Sequence, residues 1–165
     1  MKIAITGHRP NKLGNDYDLK SPLIVAIRAR IIEIIMNSSN NPEDITLISG
    51  MALGIDTLFA EIAINMKFPF IAAIPCWEQD KVWPVKSKEL YGNLLANKLC
   101  NIYQVYSGPY NNSCMQLRNQ WMVDNCDLLI AVWDGTPGGT ANCVKYAEAQ
   151  GKPIKRINPL EIKQQ

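Results

Sequence analysis

The stretch Leu128-Leu129-Ile130-Ala131-Val132-Trp133-Asp134-Gly135-Thr136-Pro137-Gly138-Gly139-Thr140 decides the fold. It opens on an unbroken apolar run, Leu128–Trp133, the pattern of a strand buried on both faces of a sheet. A helical pattern, Thr140–Gln150, follows and is stopped by Gly151. The loop between them is rich in glycine and threonine and opens directly onto a helix N-terminus. Free N–H groups and the helix dipole there favour an anionic oxygen. A plain connection between strand and helix rarely needs so many glycines. Asp134, Gly135, Gly138, Gly139 and Thr140 are therefore expected to bind a ligand.

Outward from this stretch, the same alternation fills the chain. Lys2–Thr6 reads as the first strand, and a polar loop runs to about Lys20. Ser21-Pro22 then starts a helix, with serine as N-cap and proline in the first turn. That helix runs to about Met36 with Leu23, Ile27, Ile31, Ile34 and Ile35 on one stripe. Ile45–Ser49 and Phe70–Ile74 read as strands two and three, with an Asp56–Met66 helix between them carrying Leu58, Ile62 and Met66 in register. Lys86–Lys98 is a helical pattern, Ile102–Tyr106 a fourth strand, Asn112–Asn125 a helix, and Pro153–Ile157 a last strand. The expectation is one α/β domain over residues 1–165, a mostly parallel sheet with helices on both faces. Ligands in such sheets sit beyond the carboxyl ends of the strands.

Composition narrows the function classes. The 165 residues are 47% apolar and 19% charged, and the formal net charge of +2 does not by itself demand nucleic acid or membrane. The longest apolar run, Leu23–Met36, is interrupted by Arg28, Arg30 and Glu33, so no membrane partner is expected. The N-terminus runs straight into a strand pattern without a signal-peptide layout, and a cytoplasmic location is expected. The five cysteines, Cys76, Cys100, Cys114, Cys126 and Cys143, include no C-x-x-C pair and read as reduced thiols. With His8 as the sole histidine, no metal site and no required cofactor are expected.

Two more strand ends carry unusual chemistry. In Thr6-Gly7-His8-Arg9-Pro10, glycine allows close backbone approach and Arg9 can clamp a phosphate through two parallel bonds. Ser49-Gly50-Met51-Ala52-Leu53-Gly54-Ile55-Asp56 leads into a helix whose N-terminus adds positive potential. Gly50, Met51 and Gly54 are its candidate ligand contacts. Asp56 has two readings, an N-cap or a partner for a ribose hydroxyl. Arg118 and Asn119 lie on the helix leading into the Asp134 loop and are assigned to the same site. Trp77 and Trp83 follow the third strand, where each either covers the core or stacks on a base.

The four segments Thr6–Pro10, Ser49–Asp56, Arg118–Asp124 and Asp134–Thr140 stand in an order that resembles the YpsA-like branch of the SLOG superfamily. That superfamily also holds the DNA-processing protein DprA and the LOG phosphoribohydrolases. The resemblance covers residues 2 to about 157. It implies a Rossmann-like three-layer sandwich with strand order 4-3-2-1-5-6 and a nucleotide-type pocket at the strand ends. The Thr6–Arg9 and Gly138–Thr140 loops would then face each other. LOG-like relatives also imply a homo-oligomer. The chain departs from the LOG motif P-G-G-x-G-T-x-x-E, because Pro137-Gly138-Gly139 runs straight into Thr140 and no glutamate follows before Glu148.

Three functions are weighed on this basis. The first is binding of a nucleotide derivative, ADP-ribose-like, by a sensor, regulator or sequestering protein. The second is nucleotide N-glycosidic hydrolysis with Asp134, Asp56 or Glu61 as the catalytic acid. The third is DprA-like binding of single-stranded DNA in a groove formed by Lys81, Lys86, Lys88 and Arg118 with Trp77 and Trp83.

Overall fold

The structure, a computed structural model, describes residues 1–14, 18–111 and 113–162. Its strands are β1 (Lys2–Gly7), β2 (Thr46–Ser49), β3 (Phe70–Ile74), β4 (Cys100–Gln104), β5 (Leu128–Val132) and β6 (Ile154–Ile157). The helices are α1 (Pro22–Met36), α2 (Ile55–Asn65), α3 (Val85–Leu95), α4 (Cys114–Asp124), α5 (Gly139–Ala149) and the short α6 (Pro159–Ile162). All strand pairings are parallel, and the order is β4-β3-β2-β1-β5-β6.

The two-residue period of a strand divides the apolar side chains between two cores. Ile3, Ile5, Leu47, Ile130 and Val132 pack with α1 and α2, while Ala4, Ile48 and Leu129 pack with α4 and α5. β5 is buried along its whole length, as its unbroken apolar run requires. In α1, Ser21 caps the first turn, its Oγ accepting from the Ile24 N–H at 3.5 Å, and Pro22 follows. The buried stripe of α1 is Ile24, Ile27, Ile31 and Ile35, with Leu23 and Ile34 at its border. The helix is thus turned slightly from the stripe expected, bringing Ile24 fully into the core. α2 is buried nearly all round, because it packs against the sheet, α1 and α3 together.

The fourth strand is displaced by two residues from Ile102–Tyr106. Pairing with β3 sets its frame: the Phe70 N–H donates to Leu99 O, and Phe70 lies opposite Cys100. At this sheet edge Asn101, Ile102 and Tyr103 are all exposed, so no burial alternation marks the frame in the sequence. Asn112, the expected start of the fourth long helix, lies outside the described residues. α4 begins at Cys114, where Asn111 Oδ1 accepts from the N–H groups of Ser113 (2.8 Å) and Cys114 (2.9 Å). Asp56 is not the N-cap of α2: Gly54 holds that place, and Asp56 stands within the first turn. Among the described residues no helix is long and apolar enough to cross a membrane.

Two glycines should respond to alanine in opposite directions. A Cβ on Gly7 would lie 2.6 Å from Ile55 Cβ, part of a fully buried side chain. Gly7→Ala should cost about 1–3 kcal/mol by overpacking. Gly92 lies inside α3 with open space around it, and Gly92→Ala should add roughly 0.5–1 kcal/mol through helix propensity. Urea denaturation midpoints of the two variants, measured against the parent, check both signs.

Candidate functional site

β1 and β5 are neighbours, with Gly7 opposite Val132, and the His8 N–H donates to Val132 O at 3.2 Å. The loops that leave these strands therefore start side by side. Between them opens a cleft of about 240 Å³. The β1 loop contributes Thr6, Gly7, His8, Arg9, Asn11 and Lys12, and the β5 loop contributes residues 136–140. Ala52 lines it from the loop after β2, Asp56 from the first turn of α2, and Met115, Arg118 and Asn119 from α4.

The cleft floor is a buried ion pair. Arg118 Nη1 lies 3.4 Å from Asp56 Oδ2 and also donates to Gly50 O, while Arg118 Nε donates to Asn119 Oδ1 at 2.9 Å. The two charged residues are only 5% and 6% exposed. Asp56 Oδ2 also accepts from the Ala52 N–H at 3.3 Å. Burial pushes the Asp56 carboxyl above its usual range, opposed by the charge of Arg118, the Ala52 bond and the charge of Arg9. The surrounding loop is pinned: Ser49 Oγ donates to Asp56 O at 2.7 Å, and Thr57 Oγ1 donates to Ala52 O at 2.8 Å.

Gly50, Met51 and Gly54 do not line the cleft, contrary to expectation. A Cβ on Gly50 would collide with the Arg118 guanidinium, so its role is to admit that side chain. Gly54 has φ +95°, and a Cβ there would lie 2.7 Å from His8 O. It lets α2 start directly beneath the β1 loop, where the Ile55 N–H reaches His8 O at 3.4 Å. Met51 is fully buried with φ 57°, its N–H donating to Ser49 Oγ at 3.1 Å.

On the opposite wall, a polar chain joins the two loops. Lys12 Nζ donates to Thr136 Oγ1 at 2.7 Å and to Pro137 O at 2.9 Å. The Thr136 hydroxyl donates to Asp134 Oδ1 at 2.6 Å, and the Thr136 N–H reaches the same oxygen at 3.0 Å. The buried His8 ring stands behind, Nε2 lying 2.8 Å from Asp134 Oδ1. Burial pushes the Asp134 carboxyl up, but the Thr136 bonds and His8 outweigh it and hold it well below the usual carboxylate range. Asp134 and Gly135 therefore shape the loop from outside the cleft. An acid held ionised in this way is poorly placed to donate a proton. Glu61 is also outside, paired with Arg28 of α1 at 2.7 Å. Of the three expected acids, only Asp56 lines the cleft.

Thr6, Gly7, His8, Arg9, Asp56, Arg118, Asn119, Gly138, Gly139 and Thr140 are brought together as expected. Gly138 precedes α5 with φ +148° and ψ −166°, a conformation open essentially to glycine alone. The N-cap Gly138 has no side chain to cap the first turn of α5, no other side chain among the described residues does so, and no acid lies in that turn. Its first N–H groups therefore face the cleft without an intrahelical acceptor. The Arg9 side chain makes no hydrogen bond or ion pair among the described residues, while its backbone carbonyl accepts from the Lys12 N–H at 3.0 Å. Lys12 was missed by the sequence reading, which stopped at Pro10. A helical turn over Pro10–Lys12 turns it back across the mouth, and the only hint was a cation shortly after the glycine. Burial pushes the thiols of Cys76 and Cys143 up to about 11, which disfavours their thiolate forms.

With this geometry in hand, the chain can be set against known proteins. The profile of the YpsA family, described as the YspA SLOG family, matches residues 3–162. The SPbeta prophage-derived protein YoqJ of Bacillus subtilis (strain 168) is 30% identical over 158 residues, spanning 86% of this chain and 92% of that protein. A UPF0398 protein of Bacillus cereus (strain B4264) is 25% identical over 160 residues, spanning 91% of this chain and 84% of its own. Among solved structures, DNA processing protein A (DprA) of Streptococcus pneumoniae matches 95% of this chain with a TM-score of 0.67 at 20% identity. DprA of Helicobacter pylori, solved for its single-stranded DNA binding mode, matches 96% with a TM-score of 0.65 at 21% identity. The chain spans 50% and 65% of those two proteins. At these identities the likeness is one of fold, and it confirms the Rossmann-like architecture.

The floor ion pair sets a pH-dependent expectation. Removing one partner of a buried pair costs about 3–5 kcal/mol, because the other charge is left unpaired. Arg118→Met should fall in that range at pH 7, and the Asp56→Asn, Arg118→Met double variant should recover most of the loss. Burial raises Asp56 above its usual 3.8, so its protonated form favours the fold. That contribution is complete below the unfolded value and is lost as pH rises through the folded one. Without Arg118 the loss deepens. Arg118→Met should therefore lose more stability at pH 7 than at pH 5, relative to the double variant, in thermal melts.

Proposed function

The chain belongs to the YspA SLOG family, and we propose that its cleft binds the phosphate of a nucleotide-type ligand, ADP-ribose-like, in a sensing, regulatory or sequestering role. The observation that carries this reading is the convergence of Arg9, Lys12 and the uncapped start of α5 on one cleft between β1 and β5. Each is a feature that anions favour: a guanidinium fork, an ammonium, and a helix N-terminus with free N–H groups. They come from two loops, so a phosphate there would tie the loops together. Among the described residues the only carboxylate lining the cleft is Asp56, and its charge is answered by Arg118 on the floor.

A second reading follows from Asp56 itself. A carboxyl raised by burial and facing a cleft is suited to general-acid work, as cleavage of an N-glycosidic bond requires. Incubating the protein with nucleoside monophosphates and separating any free base by chromatography tests it. Base release that persists in Asp56→Asn rejects Asp56 as the acid. Single-stranded DNA binding, known for the Helicobacter pylori DprA, is less favoured here. Arg118, one of the cations expected in the groove, is buried in the cleft floor, and Lys81 pairs with Glu78 at 3.3 Å.

The phosphate site is tested by thermal shift and calorimetry with AMP and ADP-ribose. Binding at a hundred times the dissociation constant should stabilise the fold by about 2.7 kcal/mol. Arg9→Ala should cost about 1.5–3 kcal/mol of affinity, the range for a hydrogen bond to a charged group. Gly139 has open space around it, and an acid in the first helical turn suits the dipole. Gly139→Asp should therefore keep the fold and abolish binding, by placing a carboxylate where the phosphate belongs. Normal binding by both variants would sink the proposal.

A further inference from the structure

A second cleft of about 290 Å³ lies beside the first and shares Arg9 and Asn11 with it. Its other walls include Pro10, Leu53, Trp83 and Pro84. Three strand-end loops, those after β1, β2 and β3, build it. Its wall carries an indole, two prolines and a leucine beside Arg9 and Asn11, whereas the first cleft is lined mainly by cations, hydroxyls and glycines. Sites for small ligands commonly hold about 300–1,000 Å³. Each cleft alone is below that range, and the two joined across Arg9 are within it.

The aromatic wall is held in place. Trp83 packs edge to face on Tyr91, with ring centroids 5.3 Å apart at 75°. Gln79 Nε2 donates to the Tyr91 hydroxyl at 2.9 Å and reaches Met51 O at 3.5 Å. The backbone N–H of Trp83 donates to Asp80 O at 2.9 Å, closing the turn that carries the side chain. The indole thus rests on Tyr91 of α3, whose hydroxyl is tied through Gln79 to the loop after β2, and packing of this kind reduces the side-chain freedom lost on binding. Trp77, the other tryptophan singled out in the sequence, lines neither cleft and is 56% exposed. On the shared wall the Asn11 carboxamide makes no hydrogen bond among the described residues, and it offers a donor and an acceptor side by side, as the edge of a base requires.

We infer that this second cleft takes the base of the same ligand whose phosphate occupies the first. The ligand is then a nucleotide laid across Arg9, its phosphate at residues 138–140 and its base against Trp83. This rests on the first cleft being a phosphate site. Stacking is tolerant of base identity, since every base has a π-face. Trp83 therefore separates nucleotides from bare sugar phosphates.

The experiment compares ribose 5-phosphate with AMP by calorimetry on the parent, Trp83→Ala and Trp83→Phe. In the parent, AMP should bind about tenfold or more tightly than ribose 5-phosphate, the scale of one base–aromatic stack. Trp83→Ala should bring the two ligands to within about twofold of each other, and Trp83→Phe should restore most of the difference. Circular dichroism and melting of each variant establish that it is folded, and the phenylalanine variant keeps the test decisive if alanine unsettles the loop. If ribose 5-phosphate binds as well as AMP, or if the AMP preference survives Trp83→Ala, the base site is wrong while the phosphate site stands. If neither compound binds the parent, both readings fall.

Discussion

The parallel pairing of β1 with β5 is the constraint on which the site depends. The order β4-β3-β2-β1-β5-β6 places the first strand between segments far apart in sequence. From β1 the chain moves one way through β2 to β4, and then returns past β1 to form β5. The helices α1 and α2 consequently pack on one face, while α4 and α5 pack on the other. Loops leaving β1 and β5 start together and part to opposite faces, which opens a crevice at this switch point. A one-residue slip of register would turn Ile3 and Ile5 out of their core, so the hydrophobic pattern also holds the crevice in place.

Bringing backbones this close requires positions without side chains. Gly7 lies against Ile55, Gly54 lies under His8, and Gly50 leaves room for the Arg118 guanidinium. These three glycines serve approach and packing. Gly138 and Gly139 differ, since space around Gly139 is open and Gly138 meets only the end of Lys12 at 3.8 Å. Two kinds of glycine thus occur around one cleft. One kind builds it and the other leaves its rim bare.

The electrostatic layout follows the same logic. Overall charge is close to balanced, at +2, yet among the described residues the cations Arg9 and Lys12 line the cleft without a carboxylate paired to them. Arg118 is neutralised in the floor by Asp56. Asp134, in the β5 loop, holds its carboxylate against Thr136 and His8 and does not itself line the cleft. Arg9 and the start of α5 keep their positive potential. A small local field of this kind is invisible in a net charge and is strengthened by the concave wall around it.

Much of this was legible in the sequence. The apolar run at Leu128–Trp133, the glycine-rich turns and the strand–helix alternation identified the α/β class, because burial and backbone geometry act locally and leave a period behind. The strand order entered through the resemblance to a known family, and the pairing of β1 with β5 bears it out. The sequence did not show which glycines face a ligand and which face a neighbour, nor that Asp56 would meet Arg118 across 62 positions of chain. It placed the fourth strand two residues late, because an exposed edge carries no alternation. It also stopped short of Lys12 and assigned Asp134 to the cleft it only supports. What the sequence determined alone was the set of elements and the chemistry available at their ends. Which of those groups face one another was decided by strand order and by close approach between distant segments, and neither leaves a periodic mark on the residues involved.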